Sequence, residues 1–204
     1  VATSESPLTF TETGRRAQLI AAAITTVNEV GYHRASLSAI ARRAGVAKSA
    51  IVYYFSSKES LLLSVVDEVF SHLDAAVGRA VGAADAAATA QLTAYAKGYL
   101  AYVDANRAEV TAGIEIVVSH RTEDGTPLYL LGAEEDSRLL REILAAGMDA
   151  GAFRRMPLNV AVSLVEAVLD VCTTELQRDL SADIEPFATE TVTTLLNGFA
   201  ATAR

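Results

Sequence analysis

Apolar residues recur along this chain of 204 residues at three- and four-residue steps, with few runs of alternating β-branched residues, so the dominant period is helical. From about Thr13, Ile20, Ala23, Ile24, Val27 and Val30 share one face, and Gly31 supplies a stop because glycine enters left-handed backbone freely. Ser36 is placed to cap a short second helix, in which Leu37, Ile40, Ala41 and Ala44 face inward until Gly45 ends it. A third helix follows the Gly45–Val46–Ala47 turn, with Ile51 and Phe55 inward and Lys48, Ser49, Val52 and Tyr53 outward. Ser57 caps a long fourth helix, striped by Leu62, Val65, Val66, Val69, Leu73 and Val77.

Glycines and Asp85 between Gly78 and Thr89 predict a turn. Further helices are expected over Gln91–Ala105, Arg107–His120, Leu130–Ala150, Asn159–Arg178 and Ile184–Ala203. The first dozen residues, polar and containing Pro7, are expected to form a mobile arm.

A helix of two turns is not stable alone in water, because nucleation is costly and few hydrogen bonds offset it. The second and third helices must therefore be braced by their neighbours. Two short helices joined by a tight glycine turn describe a helix-turn-helix, a unit that places its second helix in the major groove of DNA.

Composition agrees with a folded, all-α chain: 51% of residues are hydrophobic, only four are proline, and Trp is absent. Charge adds a division. Residues 1–60 hold seven Lys or Arg against four Glu, a net of +3, which leaves −11 on residues 61–204 out of a total of −8. Such asymmetry suits an anionic partner for the amino-terminal part. A single cysteine, Cys172, forms no internal disulfide, as suits a reducing cytoplasm. His33, His72 and His120 are too scattered for a zinc site, and no cofactor is expected. The longest apolar run, Val160 to Cys172, is interrupted by Glu166 and Asp170, and no leader pattern opens the sequence; a soluble, cytoplasmic protein is the expectation.

The stretch from Arg15 to Leu63 resembles the DNA-binding domain of the TetR family of bacterial transcriptional regulators. The matching residues are Ala22–Ala23, Gly31–Tyr32, Ser36, Ile40–Ala41, Ala44–Gly45–Val46, Tyr54–Phe55, Lys58–Glu59 and Leu61–Leu62. The resemblance implies a three-helix DNA-binding domain over 11–60 and a helical effector-binding and dimerisation domain over 61–204, the dimer forming through about 159–178 and 184–203. It also implies DNA-binding roles for Ser36, Lys48, Ser49, Tyr53, Tyr54 and Lys58, with Ser36 and Lys58 on phosphates and Lys48, Ser49 and Tyr53 near base edges; Ser38 is a further DNA-binding candidate, and Arg42 and Arg43 join them by their charge, since arginine neutralises phosphates. Two positions depart from the family pattern: Val52 stands for a usual tyrosine, and Ala47 for the usual Ser or Thr cap of the third helix.

The expected function is that of a ligand-responsive regulator, most simply a repressor that binds a palindromic operator as a homodimer and is released by a small molecule. The segment Asn159–Arg178 carries two apolar stripes, Val162, Val165, Leu169 and Cys172, and Val160, Leu164, Val168 and Val171, more than one buried side requires. By residue type, Tyr95, Tyr99, Tyr102, Glu115, His120, Tyr129 and Phe153 are candidates for the effector site. The sequence shows neither Trp nor a dense carboxylate cluster, which argues against a large, flat polycation as effector. An enzyme is disfavoured, because no nucleophile, base and orienting acid are matched by spacing, and no phosphate loop appears. A helical ligand-binding or scaffold protein that has lost operator recognition is the alternative, and activation remains open beside repression.

Overall fold

Ser36 Oγ accepts the Ala39 N–H at 3.2 Å, and Gly45 closes the same helix at φ 67°, its N–H on the Arg42 carbonyl and that of Val46 on the Ala41 carbonyl. A side-chain cap of this kind opens two of the described helices in the computed structural model, which describes residues 10–131 and 137–201. Among the described residues the chain is all-α, with helices α1 (Phe10–Val30), α2 (Leu37–Ala44), α3 (Lys48–Phe55), α4 (Lys58–Gly82), α5 (Ala88–Ala105), α6 (Arg107–Ser119), α7 (Arg138–Asp149), α8 (Leu158–Arg178) and α9 (Glu185–Phe199). A short 3-10 turn spans Leu128–Leu130.

The start of α1 is a correction: Phe10 to Glu12 are already helical, so an arm of twelve residues is too long, and the rest of that expectation lies outside the described residues. The helix expected from Leu130 is observed from Arg138. Before it, the chain turns back at Gly125 and forms a bridge between Arg121 and Pro127, while the Leu128 N–H bonds the His120 carbonyl at 3.2 Å. These bonds hold residues 120–131 as a loop, and residues 132–136 lie outside the described set. The last helix ends at Phe199 rather than continuing to Ala203. There Ala200 bridges to Phe153, and the Arg154 N–H takes the Phe199 carbonyl.

Helices α2 and α3 bury only Ile40, Ala41, Ala44, Ile51 and Phe55. These meet Leu19, Ala23 and Val27 of α1 and Leu61, Leu62 and Val65 at the start of α4, all buried in one continuous core. As expected, Ala47 offers no side-chain cap to α3. Losing such a cap costs about 1 kcal/mol, and packing on α1, α2 and α4 must supply the difference.

Helix α4, capped by Ser57 Oγ on the Ser60 N–H at 3.0 Å, runs 25 residues, a span of about 38 Å at 1.5 Å per residue. Its stripe continues through Val69, Leu73, Val77 and Val81, so one rigid rod belongs both to the amino-terminal head and to the larger helical body. Gly98 of α5 permits the close crossing on this rod, because a Cβ there would stand 2.8 Å from the Cβ of Ala80. The expected turn falls at residues 83–87. Among the described residues no helix is long and apolar enough to cross a membrane.

Candidate nucleic-acid interface and ligand cavity

The inward pair Ile51 and Phe55 fixes which face of α3 looks out. That face carries Lys48, Ser49, Val52 and Tyr53, all exposed, Tyr53 by 75%. Tyr54 is half-buried, its ring edge-on to Tyr53 at 5.0 Å, and its carbonyl accepts from Arg16, whose guanidinium lies 4.3 Å over the Phe55 ring. Ser36 and Ser38 are exposed at the start of α2. Since Ser36 Oγ accepts a bond as cap, its own hydroxyl proton is still available to an outside acceptor.

The two arginines of α2 are both exposed, and Arg43 pairs with Glu29 and donates to Thr26 Oγ1 at 3.2 Å. Lys58, expected as a free phosphate ligand, turns inward: Nζ donates to the Tyr32 carbonyl at 2.7 Å and to the His33 carbonyl at 3.5 Å, and lies 4.8 Å over the Tyr32 ring. Burial holds its pKa below the ordinary lysine value. An ammonium has three protons, so one donor remains for a phosphate.

Tyr32 joins this head to the body. Its hydroxyl bonds His120 Nδ1 at 2.8 Å, its N–H bonds Glu115 Oε1 at 3.2 Å, and His120 Nε2 reaches Glu59 Oε1 at 3.3 Å. The arrangement that satisfies every partner has the phenol donating to Nδ1 and the Nε2–H donating to the carboxylate. Burial first, and the Glu59 charge second, raise the Tyr32 pKa. Glu115 of α6 and His120 just after it thereby hold the α1–α2 turn and the first turn of α4.

Between α4, α5, the 120–131 loop and α8 lies a cavity of about 540 Å³. Tyr95, Tyr99 and Tyr129 line it, as do Val66, Phe70, Leu73, Val117, Leu128, Leu131 and Leu169. Four carboxylates complete the wall: Asp67 and Asp74 from α4, and Glu166 and Asp170 from α8, with no Lys, Arg or His among the described residues of the lining. Ser137 donates to Glu166 Oε1 at 2.5 Å, and the Tyr99 hydroxyl donates to Asp170 Oδ1 at 3.4 Å. Burial, with the charges of Glu166 and Asp74, pushes the Tyr95 phenol up to about 12, and burial followed by Asp170 raises Tyr99 as well. The Asp170 carboxyl is lifted by burial, lowered by the Tyr99 bond and lifted again by Glu166.

Four of the residues chosen by type stand elsewhere. Tyr102 donates to the Val69 carbonyl at 3.1 Å, Glu115 and His120 hold Tyr32, and Phe153 is buried edge-on against Phe199 and covers Gly147. The expectation of no carboxylate cluster is also corrected. Asp67 and Asp74 are far in sequence from Glu166 and Asp170, and only the packing of α4 near α8 brings the four to one cavity. The 120–131 loop serves both places, since Leu128, Tyr129 and Leu131 line the cavity and His120 bonds Tyr32.

Residues 19–65, which contain α2, α3 and most of the packing beneath them, match the family model described as bacterial regulatory proteins, tetR family. Over these residues the chain is similar to the TetR family. In this TetR segment the chain is 49% identical over 63 residues to the HTH-type transcriptional regulator BetI of Serratia proteamaculans, covering 31% of this chain and 32% of that protein. BetI of Pectobacterium atrosepticum is 48% identical over the same extent. The match thus spans about a third of the length of these curated relatives. Beyond the TetR segment the likeness is one of fold. The fatty acid degradation regulator FadR from Bacillus halodurans superimposes with a TM-score of 0.76 at 23% identity, covering 96% of this chain and 98% of that one. The TetR family regulator PfmR from Thermus thermophilus gives 0.73 at 22%, over 88% and 97%. FadR from Bacillus subtilis, in complex with stearoyl-CoA, gives 0.73 at 21%, over 90% and 98%.

Proposed function

We propose that the chain is a ligand-responsive transcriptional regulator, residues 11–60 binding DNA and residues 61–204 binding an effector and a second copy. The observation that carries this is the outward face of α3: Lys48, Ser49 and Tyr53 are exposed on a two-turn helix that the core holds rigidly, inside a segment of the TetR family. On this reading Lys48, Ser49 and Tyr53 meet base edges, while Ser36, Ser38, Arg42, Tyr54 and the third Lys58 proton meet phosphates. Val52 leaves one backbone contact unmade.

One α3 touches few bases, so specificity calls for two heads on a pseudo-palindrome, spaced by about 34–36 Å. The second apolar stripe of α8 supports that dimer: Val160, Leu164 and Val171 are 44%, 43% and 43% exposed, while Val162, Val165, Leu169 and Cys172 are buried within the subunit. Repression with release by a small molecule is the simplest regulatory form. The cavity supports it, because ligand contacts with the 120–131 loop and with α4 would move the same two elements that hold Tyr32. A ligand shifts the head only by its difference in affinity between the two arrangements.

Selection of binding sites from random duplexes, followed by footprinting beside the chain's own gene, tests the reading. The expected result is an inverted repeat with half-sites one helical turn apart. Uniform recovery of all sequences would favour the scaffold alternative, for which Val52, the acidic charge of residues 61–204 and the inward turn of Lys58 speak.

A further inference from the structure

Val52 is 44% exposed on α3, and its side chain holds no hydrogen-bond donor or acceptor. Among the exposed residues of that helix, Lys48, Ser49, Val52 and Tyr53, it is the only aliphatic one. Lys48 stands four residues before it and Ser49 three, so both are its neighbours on the helix surface. A β-branched side chain in a helix keeps one preferred rotamer, and covering its methyl groups therefore costs little ordering.

In the major groove of DNA the base edges present donors and acceptors, with one apolar exception, the C5-methyl group of thymine. A donor or acceptor set against Val52 would lose water and gain no partner, and a phosphate would lose more. Thymine alone returns an apolar contact. Resting on the reading of α3 as the helix that enters the groove, we infer that Val52 is a specificity-determining residue, its two methyl groups closing on the C5-methyl of one thymine in each half-site. The backbone contact that Val52 leaves unmade carries no sequence information, whereas a thymine methyl does. At 1.5 Å of rise per residue, Lys48 and Val52 stand about 6 Å apart along α3, and base pairs follow one another about every 3.4 Å. The thymine therefore falls about two base pairs from the base that Lys48 meets.

Fluorescence anisotropy of the full chain on the duplex recovered by selection tests the inference, with each symmetry-related pair of thymines replaced in turn by deoxyuridine, which lacks only the methyl. The native chain is expected to lose about tenfold in affinity at one such pair, as suits uncovering one carbon per subunit. Val52→Ala, a change at an exposed helical position that keeps the fold, is expected to bind the unaltered duplex about tenfold more weakly and to be indifferent to that replacement. The two losses then overlap rather than add. Ser49→Ala is expected to keep the native sensitivity at the same pair. No sensitive pair, or one to which Val52→Ala stays as sensitive as the native chain, would overturn the assignment and leave the regulator standing, as would a Ser49→Ala variant equally indifferent. A native chain that prefers no sequence would sink the regulator and this inference with it, and that result comes before any thymine is replaced.

Discussion

Asp170 shows how one residue couples cavity chemistry to stability. Its carboxyl is held above the ordinary value, so the folded chain keeps that proton more tightly than the unfolded chain does. The group therefore adds stability at pH below the ordinary carboxylate range and loses it as pH rises through its raised pKa. Asp170→Asn, which keeps an acceptor for the Tyr99 hydroxyl, is expected to raise the melting temperature by no more than about one degree at neutral pH, because solvent screens this exposed residue, and to match the native chain at about pH 3. Thermal melts of the pair across pH check this, and a variant no more stable at pH 7 would contradict the strain. At this scale caps were legible and partners were not. Ser36, Gly45 and Ser57 act within four residues of themselves, so the string suffices to place them. Tyr102, Glu115, His120 and Phe153 look like cavity residues by type, but their faces are set by helices that meet only after folding.

Among the elements, α4 was the most readable, since its stripe from Leu62 to Val77 keeps one period and its cap is local. The loop after α6 was the least readable: its path depends on Asp124 gathering Thr122 and Thr126, and on the bridge from Arg121 to Pro127, neither of which has a helical period. On the proposed function that loop would carry the signal, because its bonds tie cavity to head through His120 and Tyr32. Tyr32→Phe removes the hydroxyl and keeps the ring beneath Lys58. It is expected to raise the ligand concentration that half-releases operator about fivefold, a coupling change of about 1 kcal/mol, while ligand-free operator affinity changes by less than about twofold. Fluorescence anisotropy of labelled operator, titrated with ligand, reads both quantities. An unaltered release curve would remove the tyrosine from the route.

For the whole molecule, the division of charge, +3 on residues 1–60 against −11 on the remainder, coincides with a division of surfaces. Exposed cations stand about α2 and α3, acidic groups line the cavity, and an apolar stripe runs along α8. Leu164→Glu on that stripe is expected to give a monomer by light scattering and to weaken operator binding at least about a hundredfold, because one head loses the help of the other. The central claim is that α3 reads DNA in a pair, and the salt dependence of operator affinity tests it most directly. Each phosphate neutralised contributes about −0.9 to the slope of log affinity against log salt. With Arg42 and Lys58 on phosphates in both subunits, the predicted slope is about −3.5 for the native chain and about −2 for Arg42→Ala, while Lys48→Ala keeps the native slope and loses the preference for one sequence. A slope near zero, or a sequence preference that Lys48→Ala leaves unchanged, would contradict it.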